Sequence, residues 1–292
     1  MFEVNVTNAC PYKCNNCIAS TFLPPEEDFF NFLEELKKET SDIFIWLTGG
    51  EPMLFPDKVE RFLKTGFQCQ MVTTGLNNTD KLEYLLDRYP TFKVNISISG
   101  DPKYEATHRA HDIDYEAHRN TVNKLNRFGD RVMLVSVIFR NAVDGKIVDE
   151  NLDYIYNTFP NFKHTLMWDR FDSFSEKEIA QVKTKIDSFA NMRIYPFPVR
   201  KMYPTLFVDG ENFRVFYKYK PQFIKIKDCL SDPLGVLHTV ETGFNISTID
   251  TKQKCNVYKF YPGCGGPECR YGYNENCEEY WSQFILGEEV KW

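Results

Sequence analysis

At 292 residues the chain can bury one large core, or one core with an appended segment. Its formal net charge of −6 argues against broad electrostatic binding of nucleic acid, and no run of about 18 apolar residues offers a membrane-spanning helix. The opening MFEVNVTNAC has no charged leader followed by an apolar stretch, so no secretory signal is read there and a cytoplasmic location is expected.

Residues 2–6 alternate as a short strand. Residues 26–39 place Phe29, Phe30, Phe32, Leu33 and Leu36 at helical spacing, with acids at the start and lysines at the end. Strands are then expected at 43–47, 70–74, 93–98, 131–139 and 162–168. Helices are expected at 57–64 after Pro56, at 79–88 with Thr79 as cap, and at 115–128, 146–158 and 175–189. The last of these opens on a capping box, Ser175 with Glu178. Six strand-then-helix units predict a parallel sheet with helices outside, as a partial (β/α)6 barrel, with the active site at the carboxyl ends of the strands. Beyond about residue 195, Pro196, Pro198 and Pro204 break the pattern. A hairpin follows over 205–219, turning at Asp209-Gly210, and a second is expected over 236–248. The expected division is a core over 1–195 and a C-terminal extension over 196–292.

The nine cysteines are an odd number, and they fall into groups: Cys10, Cys14 and Cys17; Cys69 and Cys229 singly; then Cys255, Cys264, Cys269 and Cys277. In a chain without a secretory signal such clusters point to metal rather than disulfides. The first group is CxxxCxxC, directly after the first strand. Three thiolates on one loop can hold three irons of a [4Fe–4S] cluster and leave the fourth open, whereas a structural zinc site takes four ligands.

With its spacing, its place after the first strand and the six units behind it, this segment resembles the radical S-adenosylmethionine (SAM) superfamily over about residues 1–195. Thr48-Gly49-Gly50-Glu51-Pro52 after the second strand is similar to the family's GGEP motif, which contacts the amino group of SAM. Thr73 and Thr74 sit where the family carries a Thr-Asn-Gly turn. Ser97 and Ser99 resemble the fourth-strand segment lining the SAM site, and Arg140 ends the fifth strand, where polar groups often meet SAM. At Asn16 the chain departs from the aromatic residue usual before the third cysteine. The resemblance implies a catalytic [4Fe–4S] cluster on Cys10, Cys14 and Cys17, cleavage of SAM to a 5′-deoxyadenosyl radical, and hydrogen abstraction from an unactivated C–H bond. It implies a flavodoxin- or ferredoxin-like electron donor.

The last four cysteines, with Cys229, loosely resemble the SPASM and twitch extensions, which carry auxiliary clusters. Thr248 stands where a SPASM domain has a cysteine, so one auxiliary [4Fe–4S] cluster is expected, on four of Cys229, Cys255, Cys264, Cys269 and Cys277; structural zinc is the alternative. The substrate is a peptide or a small molecule, with a separate delivery protein allowed. A nucleotide ranks below these: aromatics and cations interleave over 213–227, as stacked bases and phosphates would require, but the stretch reads first as a half-buried strand pair with a solvated lysine face. Tyr104, His108, Arg109 and His111 follow the fourth strand, near the expected substrate. Net oxidation is the expected outcome, with a redox-neutral epimerisation or rearrangement as its alternative. A glycyl-radical activase and a non-catalytic iron–sulfur or zinc redox sensor are the further rivals.

Overall fold

Phe2 and Val4 are fully buried while Glu3 between them is half-exposed, so the first strand, β1 (Phe2–Asn5), has one dry face and one wetter face. The dry side meets α1 (Glu27–Glu39), whose Phe29 and Phe32 rings lie 5.5 and 5.9 Å from Phe2. A computed structural model describes residues 2–12, 14, 17, 22–108, 114–138, 147–168, 176–194, 206–217 and 220–234.

The six units are present: β2 (Phe44–Thr48) with α2 (Pro56–Lys64), β3 (Gln68–Thr73) with α3 (Thr79–Arg88), and β4 (Lys93–Ser97) followed by α4 (Pro102–His108) and α5 (Tyr115–Leu125). Then come β5 (Val132–Ile138) with α6 (Ile147–Thr158) and β6 (His164–Trp168) with α7 (Glu176–Ile186). One α-helix and one strand were not expected from the sequence: α4 and the short β7 (Met192–Ile194). β10 (Lys220–Lys225) completes a hairpin with β9 (Asn212–Tyr217), the strand pair expected over 213–227. The cap of α3 is Asn78 rather than Thr79. Asn78 takes a left-handed conformation and donates its amide to the Met53 carbonyl at 2.6 Å, leaving Thr79 as the first helical residue. Ser175 and residues 236–248 lie outside the described residues.

The sheet runs β10-β9-β8-β1-β2-β3-β4-β5-β6-β7, where β8 is Leu206–Asp209. It is parallel from β8 to β7, and the β9–β10 hairpin adds two antiparallel strands. Among the described residues β7 and β10 are its two edges. The pairing of β8 beside β1 carries the sheet past residue 195.

Register fixes which side chains share a face. Phe2 is paired with Ile45 and Leu206, and these point toward the helices together with Leu47, Met71 and Val94. Glu3, Trp46 and Phe207 are likewise paired and point to the other, concave side. Asn5, Thr48, Gln70 and Asn95 share that side, with Gln70 donating to Asn95 at 2.9 Å. No helix among the described residues is long and apolar enough to cross a membrane.

Candidate active site

Parallel strands deliver all their carboxyl ends to one edge. That edge holds the loop carrying Cys10, Cys14 and Cys17 after β1, residues 49–52 after β2, Thr73 and Thr74 at the end of β3, and Ser97 and Ser99 at the end of β4. Arg140, Arg109, His111, Asn16, Cys255, Cys264, Cys269 and Cys277 lie outside the described residues.

Cys10 and Cys14 are half-buried and Cys17 is exposed. Burial, foremost, raises the Cys10 pKa, and the nearby charges of Glu51, Cys14 and Cys17 add to it; a hydrogen bond from the Tyr12 backbone opposes them. The thiols and Glu51 are therefore electrostatic neighbours. Among the described residues no three His, Cys, Asp or Glu side chains converge on one metal ion. Three soft, accessible thiols spread along one loop fit a cluster of several irons better than a single tetrahedral ion.

The two glycines pack the second loop against the first. Gly50 donates its N–H to the Thr7 carbonyl at 2.6 Å, and Glu51 donates to the Ala9 carbonyl at 2.9 Å. A Cβ on Gly50 would stand 2.2 Å from the Ala9 oxygen, and one on Gly49, at φ +123°, 2.4 Å from the Thr7 oxygen. Only residues without a side chain allow this approach, one residue ahead of Cys10.

The Glu51 carboxylate is buried and fully engaged. One oxygen accepts from the Met53 N–H at 3.0 Å and from the Thr73 hydroxyl. The other accepts from the Thr74 N–H at 2.8 Å and the Thr74 hydroxyl at 2.7 Å. Four donors fill its ordinary acceptor capacity. Thr74 is held from the far side as well, its carbonyl accepting from Nε2 of His118, a buried residue of α5, at 2.8 Å. Ser99 donates its backbone N–H to the carboxylate of Glu105 on α4, and Asn151 of α6 accepts from the Asp101 N–H at 3.0 Å. Tyr104 is buried, and His108 closes α4.

Sequence reasoning passed over His118, Glu105 and Asn151. His118 and Asn151 support their loops from helices 44 and 50 positions away, so local pattern carries no signal for them. Glu105 lies only six positions from Ser99, on the helix α4 that the sequence did not lead one to expect. The 213–227 stretch forms the β9–β10 hairpin and the short helical turn after it, and Phe213 is buried against Phe2 at 5.7 Å. Cys229 is buried at the end of that turn, its thiol donating to the Lys225 carbonyl at 3.4 Å. Because Asp209 pairs with Asn212, and Asn212 with Lys225, β10 ends at the same edge as the cysteine loop.

Residues 4–149 match the sequence profile of the radical SAM superfamily. No match was found among curated proteins. Among solved structures, SuiB of Streptococcus suis bound to S-adenosylmethionine aligns at 12% identity and TM-score 0.58, covering 82% of this chain and 62% of that one. SuiB bound to precursor peptide SuiA aligns at 12% and TM-score 0.57, covering 95% and 68%. Native anSMEcpe with bound AdoMet and Cp18Cys peptide aligns at 13% and TM-score 0.64, covering 98% and 96%. The chain thus spans less than two thirds of the SAM-bound SuiB chain, and at these identities the likeness is one of fold. The profile takes in half of the sequence, starting within β1 and running through the cysteine loop, and the chain belongs to the radical SAM superfamily.

Proposed function

We propose that this protein cleaves SAM reductively and removes a hydrogen atom from an unactivated C–H bond of a peptide, with net oxidation such as cross-linking or dehydrogenation. The observation that carries the reading is the docking of the Gly49-Gly50-Glu51 backbone onto Thr7 and Ala9, directly beside the Cys10 loop. Cys10, Cys14 and Cys17 would hold a [4Fe–4S] cluster. When bound, the cluster and SAM would supply the electron for C–S cleavage and the 5′-deoxyadenosyl radical that follows.

The chain's own residues bind and orient. Backbone carbonyls of residues 49–51 and of the turn after β3 suit the SAM ammonium, and Pro52 fixes the chain leaving that loop. Glu51 acts through Thr73 and Thr74, since its acceptor positions are taken. Ser97, Ser99 and Arg140 would complete the cofactor's surroundings. The half-buried Phe44, Trp46 and Phe207, with Asn95 and Gln70, line the concave side, where a substrate side chain could be kept from water.

A peptide substrate is supported by two structural neighbours described with bound peptides. We assign residues 1–195 to the core and 196–292 to an extension with one auxiliary cluster, on four of Cys229, Cys255, Cys264, Cys269 and Cys277. The position of β10 supports an electron-accepting role for it: three strand spacings of about 5 Å separate β10 from β1, roughly 15 Å.

The test is anaerobic reconstitution, with iron and sulfide counted per chain and 5′-deoxyadenosine measured after reduction with SAM present. About eight irons with SAM cleavage supports both clusters, and about four leaves the extension to zinc or thiols. Cys10→Ala, Cys14→Ala and Cys17→Ala should each abolish cleavage. Retained cleavage in any of them sinks the assignment, and a loaded wild-type protein that leaves SAM intact would be a redox module.

A further inference from the structure

The loop that carries Cys10, Cys14 and Cys17 joins β1 to α1, and its later part includes Phe22 and Leu23. Its first end is fixed by the glycine packing already described. Its second end is fixed at a single peptide group, the one joining Phe22 to Leu23. The carbonyl of that group accepts from the Asn5 amide at 2.8 Å, and its N–H donates to the Asp209 carboxylate at 2.9 Å. Asn5 ends β1 and Asp209 ends β8, the neighbouring parallel strand, and both lie on the concave side. Thr48, at the end of β2, donates to the Asn5 side-chain oxygen at 3.1 Å, which orients the amide so that its nitrogen faces the Phe22 carbonyl. One residue on, Gly210 donates to the Leu23 carbonyl at 3.3 Å. The Phe22 ring stacks on Phe207 at 5.1 Å with an interplanar angle of 8°. Two adjacent strands, β1 and β8, thus grip one peptide plane, and β2 orients the Asn5 amide that does so.

We infer that Asp209 is a positioning residue for the cluster: it holds the far end of the Cys10–Cys17 loop, so the segment beyond the superfamily match takes part in keeping the cluster in place. Leu23 supports this. Its side chain is 61% exposed and contributes little core, yet its backbone is bonded on both sides. A loop that must present three thiolates to one cluster loses affinity when either end is free, because the ordering of the loop then falls to the metal bonds themselves. The inference rests on the cluster assignment above, and its test separates the two.

The reconstituted full chain is challenged anaerobically with a ferrous chelator, and the rate of iron release is followed beside thermal unfolding of the same samples. Asp209→Ala should release iron about three- to tenfold faster, as loss of one hydrogen bond allows. Asp209→Asn keeps the accepting oxygen and should stay near wild type. Leu23→Pro deletes the N–H from the other side of the same bond without touching β8, and should match Asp209→Ala. The double variant should be no faster than Asp209→Ala, in which the bond from Leu23 is already gone. Equal release from Asp209→Ala and wild type overturns the inference alone, as does additivity in the double variant or an Asn variant as fast as the Ala variant. A wild-type chain that takes up no iron overturns the cluster assignment and the inference with it.

Discussion

The helix-facing side of the sheet and its carboxyl edge are held together by different forces. On the helix-facing side Phe2, Ile45, Leu47, Met71, Val94, Ile96 and Leu134 are fully buried, and the energy comes from apolar area, roughly 25 cal/mol per Å². Such burial is non-directional, so a substitution that conserves volume is tolerated. At the carboxyl edge the loops are held by directed bonds: the glycine backbone on Thr7 and Ala9, four donors on Glu51, and two side chains on the 22–23 peptide group. There a single methyl group in the wrong place should cost more than an altered side chain in the core.

Gly50→Ala is the sharpest way to break that contrast. The added carbon would stand 2.2 Å from the Ala9 oxygen, a backbone atom that cannot swing aside. Relief requires the two loops to part, and the bonds from Gly50 to Thr7 and from Glu51 to Ala9 are then lost. The expected cost is about 3 kcal/mol or more, read as a fall of about 5–10 °C in unfolding temperature, with iron retention reduced in parallel. A Gly50→Ala protein with wild-type melting and full iron content would show that the loops are not held as described.

One polar group interrupts the dry side, and it sharpens the comparison through pH. His164, almost wholly buried on β6, donates from Nε2 to the Ser136 hydroxyl at 2.7 Å, and that hydroxyl donates to the Ile98 carbonyl. Its Nδ1 has no partner among the described residues. Burial pushes its pKa down to about 3. The unfolded chain, with an ordinary value near 6.5, binds the extra proton between those limits, so stability is full above about pH 6.5 and falls as pH drops toward 3. From pH 6.5 to 5 the loss is roughly 2 kcal/mol. His164→Leu removes the titrating group and should flatten this decline in unfolding temperature. Parallel declines in the two proteins would mean that the imidazole is protonated in the folded state.

These effects divide along the same line as legibility in the sequence. The helical spacing of Phe29, Phe32, Leu33 and Leu36 and the alternation in β2 are local, and local pattern predicts them. The Asp209-Gly210 turn is equally local, and β8 and β9 do pair there. The aromatic–lysine alternation over 213–227 is local too, and β9 and β10 pair there. β7 escaped because it has three residues. The cysteine spacing marks the site, but not what holds it. Asn5 meets Thr48 through the β1–β2 pairing, but Asp209 comes beside Asn5 only because β8 crosses to the far side of β1, and the bond from Leu23 to Asp209 spans 186 positions. Glu51 could be picked out by its motif, whereas its engagement with Thr73 and Thr74 depends on the neighbouring strand.

The smallest expected effect comes from Cys69, a cysteine on the wrong side of the sheet. Its thiol packs on the helix-facing side near the Phe62 carbonyl of α2, and burial raises its pKa to about 12. A thiol serving as hydrogen-atom donor to a substrate radical has to reach the concave side, and the strand's alternation turns Cys69 away from it. Cys69→Val keeps the volume and suits a strand, so it should cost under about 1.5 kcal/mol. It should leave iron content and 5′-deoxyadenosine release unchanged, together with product formation once a substrate peptide is in hand. Loss of product with SAM cleavage intact would assign Cys69 a part in the radical chemistry and favour a redox-neutral outcome. It would also mean that the two faces exchange residues during turnover, which the parallel register gives no means of doing while β3 stays paired on both sides.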